Sequence, residues 1–181
     1  MRGYQFNTLV CVAVVLGLLS AAGQAAAGQI FVTVQGSKQG KFKGELTLKG
    51  MEDKIEAVKF AYEVISPRDP ATGAILKRMH KPFRITKRWG AASPQLFMAL
   101  VMNEMLPVVQ IDFVSASQAG QMQLTHTVKL TNAFVTEIKQ STEPAQGQLQ
   151  EYEEVAFVFQ KIEINDLIGK TMAMDDWSAA H

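Results

Sequence analysis

Residues 80–90, HKPFRITKRWG, run directly into residues 91–107, AASPQLFMALVMNEMLP, and this pair of segments restricts the fold most. A strand-like run with alternating basic residues is followed by a sharp helix start. Ser93 is expected as the N-cap, with Pro94 at the first helical position, where a missing N–H is harmless. Between residues 96 and 106 only Asn103 and Glu104 are polar, and Pro107 is expected to end the helix. A helix on a protein surface shows a polar face, so one this apolar is covered on more than one side. In a chain of 181 residues that cover implies a partner subunit, and assembly rather than catalysis becomes the leading theme.

The N-terminus stands apart. Arg2 gives a short positive region, residues 8–19 are apolar with one Gly, and Ala25-Ala26-Ala27 offers a small-x-small cleavage pattern. The apolar run is short for a span, which needs about 20 residues. The reading is a signal-peptide-like segment over 1–27 and a folded domain over 28–181; a retained anchor is the alternative. No stable membrane insertion is expected once the segment is removed. Cleavage takes away Arg2 and no acid, leaving 17 basic residues against 17 acidic ones. A neutral chain argues against nonspecific binding to nucleic acid. The single cysteine, Cys11, leaves with the segment, so the domain depends on its core and on contacts between copies.

From Gln29 onward the pattern is mostly β. Residues 30–34 read as a first strand, and Phe42, Leu46 and Leu48 as inward positions of a second. Val58, Phe60, Tyr62 and Val64 alternate with residues of the opposite face. Two prolines and a glycine in residues 66–73 predict a long excursion returning through Pro82. Residues 108–114 form a further strand. Residues 122–139 read as two runs joined near Thr131-Asn132, with Leu124, Val128, Leu130, Val135 and Ile138 inward, and residues 141–150 as a polar loop. Val155, Phe157 and Phe159 alternate with Ala156 and Val158, a strand apolar on both faces and therefore central or covered. The sum is a mainly β chain of seven to nine strands with one α-helix, which fits a closed or nearly closed antiparallel barrel with the helix against one side.

The same stretches resemble the haemolysin-coregulated protein (Hcp) family, the tube subunit of type VI secretion systems, which is similar to phage tail-tube proteins. The resemblance is carried by IFVTVQGSKQGKFKGELTLKGMEDKI, YEVISPRDPATG, RMHKPFRITKRWGAASPQLFMALVMNE, HTVKLTNAFVTEI, EYEEVAFVFQKIE and the DDW of Asp175, Asp176 and Trp177. It covers nearly all of residues 29–177. It implies an antiparallel two-sheet β-barrel with one α-helix, ring-forming, whose homohexameric rings stack into a secreted tube, with sheath, spike and effector proteins as partners and small effectors carried in the lumen. It brings no catalytic residues. Family members usually begin near the position of Gln29 without a cleavable signal, so this chain departs from the pattern at its N-terminus. It is expected to be secreted, or periplasmic if the segment is cleaved on the general export route.

Given the ring and tube that the resemblance implies, the residues suit particular parts of it. The excursion is an arm for ring stacking, with Pro67, Arg68, Asp69, Pro70, Gly73, His80, Lys81 and Pro82 as its working residues. The helix and its flanks supply lateral subunit contacts through Trp89, Leu96, Phe97, Met98, Leu100, Val101, Met105 and Val158. Met98, Met102 and Met105 lie at helical spacing and suit core, interface or a lumen-facing surface.

Sharper chemistry finds little support. His80 and His126 have no spaced ligand cluster, so no metal and no cofactor are expected. The basic run Lys77, Arg78, Lys81, Arg84, Lys87 and Arg88 sits near Phe83 and Trp89, as in stacking platforms for nucleic acid. The acids Glu151, Glu153, Glu154, Glu163, Asp166, Asp175 and Asp176 towards the other end favour charge complementarity between subunits instead. Ser66 and Ser93 lack a G-x-S-x-G setting. Glu153-Glu154 and Asp175-Asp176 point to opposite faces of a strand and cannot converge as a carboxylate pair. The expectation is no enzyme; the alternative is an exported Hcp-like binding protein that no longer forms a tube.

Overall fold

Period-two apolar patterning becomes a continuous antiparallel sheet. A computed structural model describes residues 28–178 except Leu48, Gln118 and Gln146. The expectations for residues 1–27, Cys11, Leu48 and His181 lie outside the described residues. In chain order the strands are β1 (Gln29–Gly36), β2 (Gly40–Lys41), β3 (Ile55–Ala61), β4 (Val64–Ile65), β5 (Met79–His80) and β6 (Phe83–Arg88). The helix α1 (Ser93–Val101) follows, then β7 (Leu106–Ala116), β8 (Met122–Ala145), β9 (Gln148–Val158), β10 (Lys161–Asp166) and β11 (Thr171–Asp176). The described residues are therefore mainly β with one helix, as expected.

Nine strands share one sheet in the order β11-β10-β8-β7-β1-β3-β6-β9, with β2 on β1, and β9 pairs back to β8. Six strands (β8, β7, β1, β3, β6 and β9) thus close a hydrogen-bonded circuit. The long β8 makes the closure. Its first half pairs with β7 on one edge and β10 on the other, and its second half, from Phe134, pairs with β9. At the crossing Asn132 adopts a positive φ of 49°, and its side-chain amide donates to Gln160 Oε1 at 2.8 Å. The Thr131-Asn132 turn is therefore a bend inside one strand. The polar loop over 141–150 is likewise the paired end of the β8–β9 hairpin.

Other departures have local causes. Ile55 and Ala57 point into the core and alternation turns Val58 outward, while a register shift between Ala57 and Lys59 puts Phe60 across from Ile85, where it packs on Phe83 and Phe113 yet stays 41% exposed. A bulge inserts one residue and flips the alternation beyond it. Leu124 is exposed because the start of β8 runs past the core. The second predicted strand does not form among its described residues: β2 ends at Lys41, and Phe42 is fully buried in irregular backbone.

The core is built from Val32, Val34, Phe42, Ile55, Phe83, Ile85, Leu96, Leu106, Ile111, Leu130, Val155 and Phe157. β9 is central, between β6 and β8, which explains its apolar faces. The helix is shorter than expected. It stops at Val101, because Asn103 takes φ 48° and Glu104 turns inward. Glu104 is buried and accepts hydrogen bonds from the N–H groups of Lys38 and Gln39 and from the Gln39 amide. Burial disfavours its charge, but these donors prevail and lower its carboxyl below the ordinary value. Gly36 is required here, since a Cβ on it would meet Glu104 Oε1 at 2.6 Å. One carboxylate thereby pins the β1–β2 turn to the end of the helix. Among the described residues no helix is long and apolar enough to cross a membrane.

Candidate functional site

Three surfaces hold the residues singled out by the sequence. The helix presents two faces. Ser93, Leu96 and Ala99 point into the core, and Leu96 is 0% exposed. Leu96 is therefore a core residue of its own chain and is withdrawn as a subunit contact. Leu100 is half-buried against the same core. Phe97, Met98 and Val101 form the outer face, with Phe97 55% and Val101 57% exposed, and Met102 and Met105 are exposed just past its end. Exposed aromatic, Met and β-branched side chains this close together leave an apolar patch on the single chain. Trp89 is exposed just beyond β6, and Val158 (36% exposed) is exposed opposite Phe134 on β8.

The helix start is organised by a buried ionic cluster that sequence reasoning assigned otherwise. Ala92 is the N-cap and no side chain caps the helix. Ser93, the first helical residue, donates its hydroxyl to Glu153 Oε1 at 2.8 Å and accepts from Lys87 Nζ at 3.0 Å and Gly90 N at 3.0 Å. Lys87 Nζ also lies 2.9 Å from Glu153 Oε1 and donates to Arg88 O at 2.7 Å. Both Lys87 (0% exposed) and Glu153 are buried, on β6 and β9 positions that pair directly.

The charge reading changes accordingly. Arg84 meets Glu137 at 2.7 Å and Glu154 at 2.9 Å, and Arg78 pairs with Asp175. Three of the six cations thought to face a partner are neutralised within the chain. Alternating burial could have shown Lys87 as an inward position, since Phe83 and Ile85 share its parity on β6.

The arm emerges through β4 and β5, which pair with each other and apart from the main sheet. Arg68 bridges Ile75, and the tip over 69–73 is a tight turn. Asp69 Oδ1 accepts from Thr72 N at 2.8 Å and Ala71 N at 2.9 Å, and these bonds, Thr72 first, hold its carboxyl below the ordinary value. Gly73 takes φ 70°, a conformation that suits glycine. Pro70 and Lys81 are exposed, and Pro67 and Pro82 are half-buried. The arm residues named from the sequence thus share one hairpin, but His80 sits at its root and not at its tip.

Around that root lies a polar and aromatic cluster that the sequence did not reveal. His80 Nε2 lies 2.8 Å from Asp175 Oδ2, its Nδ1 meets the Tyr62 hydroxyl, and Arg78 grips Asp175 with two guanidinium nitrogens. The His80 ring packs against Trp177 and Phe159, with centroids 5.2 Å and 5.8 Å away. Arg78 leads the interactions that hold Asp175 well below the usual carboxylate range, to about 2; burial opposes and His80 assists. Burial raises the Tyr62 phenol, with the Asp175 charge adding. An open groove of about 1030 Å³ runs along this root, lined by Ile75, Leu76, Lys77, Met79 and Trp177 among others. No cluster of three His, Cys, Asp or Glu side chains suited to a metal occurs among the described residues.

Residues 31–165 match the family described as "Type VI secretion system effector, Hcp". The chain is 32% identical over 161 residues to the Major exported protein of Pseudomonas aeruginosa, covering 81% of this chain and 94% of that one. A solved Hcp protein structure is similar with a TM-score of 0.76 and 28% identity, covering 83% of this chain and 100% of the other. The secreted protein Hcp3 of Pseudomonas aeruginosa is similar with a TM-score of 0.72 and 30% identity, covering 84% and 100%.

Proposed function

Since this chain belongs to the Hcp family of type VI secretion proteins, we propose that it is a non-enzymatic tube subunit whose copies form hexameric rings. The rings stack into a secreted tube that engages sheath and spike proteins and carries effectors in its lumen. The observation that supports ring formation best is the outer face of α1. Phe97, Met98 and Val101, with Met102 and Met105 just past the helix end, leave an apolar surface exposed in the single chain, and closing subunits into a ring would cover it. Trp89 and Val158 extend the lateral contact, and the arm reaches the neighbouring ring.

The test is to place charge on that face. In Phe97→Glu/Val101→Glu the side chains stay in water in the single chain, so the fold persists while a ring interface would bury two unpaired carboxylates. The expected result is loss of rings by negative-stain imaging with an unchanged β-type circular dichroism spectrum. Rings that survive the double substitution overturn the assignment of this face.

A further inference from the structure

The arm has little apolar anchorage. Ile75 is 70% exposed, and Leu76 and Met79 are also exposed. Its two-residue strands pair only with each other. A hairpin so sparsely packed is only marginally ordered on its own. Yet among the described residues every side-chain hydrogen bond or ion pair that joins 66–82 to chain beyond the Tyr62 position ends on one carboxylate, Asp175. Arg78 and His80 are two residues apart, so an extended backbone turns both to the same side, while Met79 between them faces away. Asp175 belongs to β11, opposite Ile162 of β10, in the two-stranded ribbon that continues the sheet beyond the closed circuit. The contact is charge-assisted and forked, the strongest kind of side-chain hydrogen bonding and the most directional. Trp177, two residues on, packs against the His80 ring at a tilt, with centroids 5.2 Å apart.

We infer that Asp175 is a positioning residue: it fastens the root of the arm to the β10–β11 ribbon and sets the posture in which the arm meets the next ring. The stacking element is then the arm together with the C-terminal ribbon. This rests on the proposed role of the arm in stacking.

Hydrogen exchange on the protein expressed from the full 181-residue sequence tests the fastening, and imaging of the same preparations tests the stacking. Asp175→Asn keeps the shape and removes the charge. The expected result is exchange about tenfold faster at the arm amides of Leu76 and Lys81, which donate to Pro67 O and Glu63 O, with β1 and β7 unchanged. Arg78→Gln should accelerate the same amides, and the double variant should be no faster than Asp175→Asn alone, because Arg78 acts through that carboxylate. Tubes of Asp175→Asn should be short, with rings intact. Unchanged arm exchange, or arm and core accelerating together, overturns the fastening. Wild-type protein that forms rings but never stacks overturns the stacking role, while the exchange pattern still decides the fastening.

Discussion

Replacing Lys87 by Met removes the cation from a fully enclosed ionic cluster while keeping much of the side chain's volume. Lys87 Nζ serves three acceptors, Arg88 O at 2.7 Å, Glu153 Oε1 at 2.9 Å and Ser93 Oγ at 3.0 Å. In the variant, Glu153 keeps only the Ser93 hydroxyl, and its other oxygen, Oε2, already has no partner among the described residues. Deleting one member of a buried pair costs about 3–5 kcal/mol, because the remaining charge is stranded away from water. For a chain of this size that loss lowers Tm by about 6–20 °C. Replacing both members, Lys87→Met with Glu153→Leu, removes the stranded charge and should return to within about 1 kcal/mol of the parent. Thermal and urea melts followed by circular dichroism, at one fixed protein concentration because assembly adds apparent stability, give both numbers. A loss below about 1 kcal/mol in the single variant, or a double variant as unstable as the single one, would refute the reasoning that this cluster ties β6, β9 and the helix start together.

Further outcomes follow from other sites. Asp175 has a folded-state pKa of about 2 against an ordinary 3.8, so its stabilising contribution is complete above about pH 4 and is lost as pH falls towards 2. Partial exposure reduces its size to about 1–2 kcal/mol, and Asp175→Asn should flatten the acid limb of a stability-versus-pH curve; an unchanged limb would count against it. Arg68→Ala with Asp69→Ala removes the turn bonds at the arm tip and should weaken stacking while leaving single rings, so tubes of ordinary length would contradict the arm assignment. Val158→Glu should leave the single chain folded, since Val158 borders solvent, and abolish rings; intact rings would place it outside the interface. Leu96→Ala, by contrast, should destabilise the chain itself by about 2–5 kcal/mol, and a near-neutral melt would return Leu96 to the surface.

Much of the fold was legible where local pattern and tertiary environment agree. Phe83 and Ile85 alternate as a half-buried strand does, and Val155 to Phe157 is apolar on both faces because β9 is central. The misses arise where one residue overrides a pattern. The bulge beside Val58 breaks the period of β3, so that Val58 and Phe60 fall on different faces, and the positive φ of Asn132 lets one long strand look like two. Lys87 reads as surface charge until its pairing with Glu153 is known, a relation spanning 66 positions in sequence. The helix showed its apolar character in the sequence, but only packing separates Leu96, turned inward, from Phe97 and Val101, turned out. The fastening of Arg78 and His80 to Asp175 has no local signal at all, because the partners lie some 95 residues apart.

Native mass spectrometry on purified residues 28–181 tests the central claim most directly. The account predicts a species of six copies, lost in Phe97→Glu/Val101→Glu. A clean monomer at high concentration would contradict it and favour an exported Hcp-like binding protein that forms no tube.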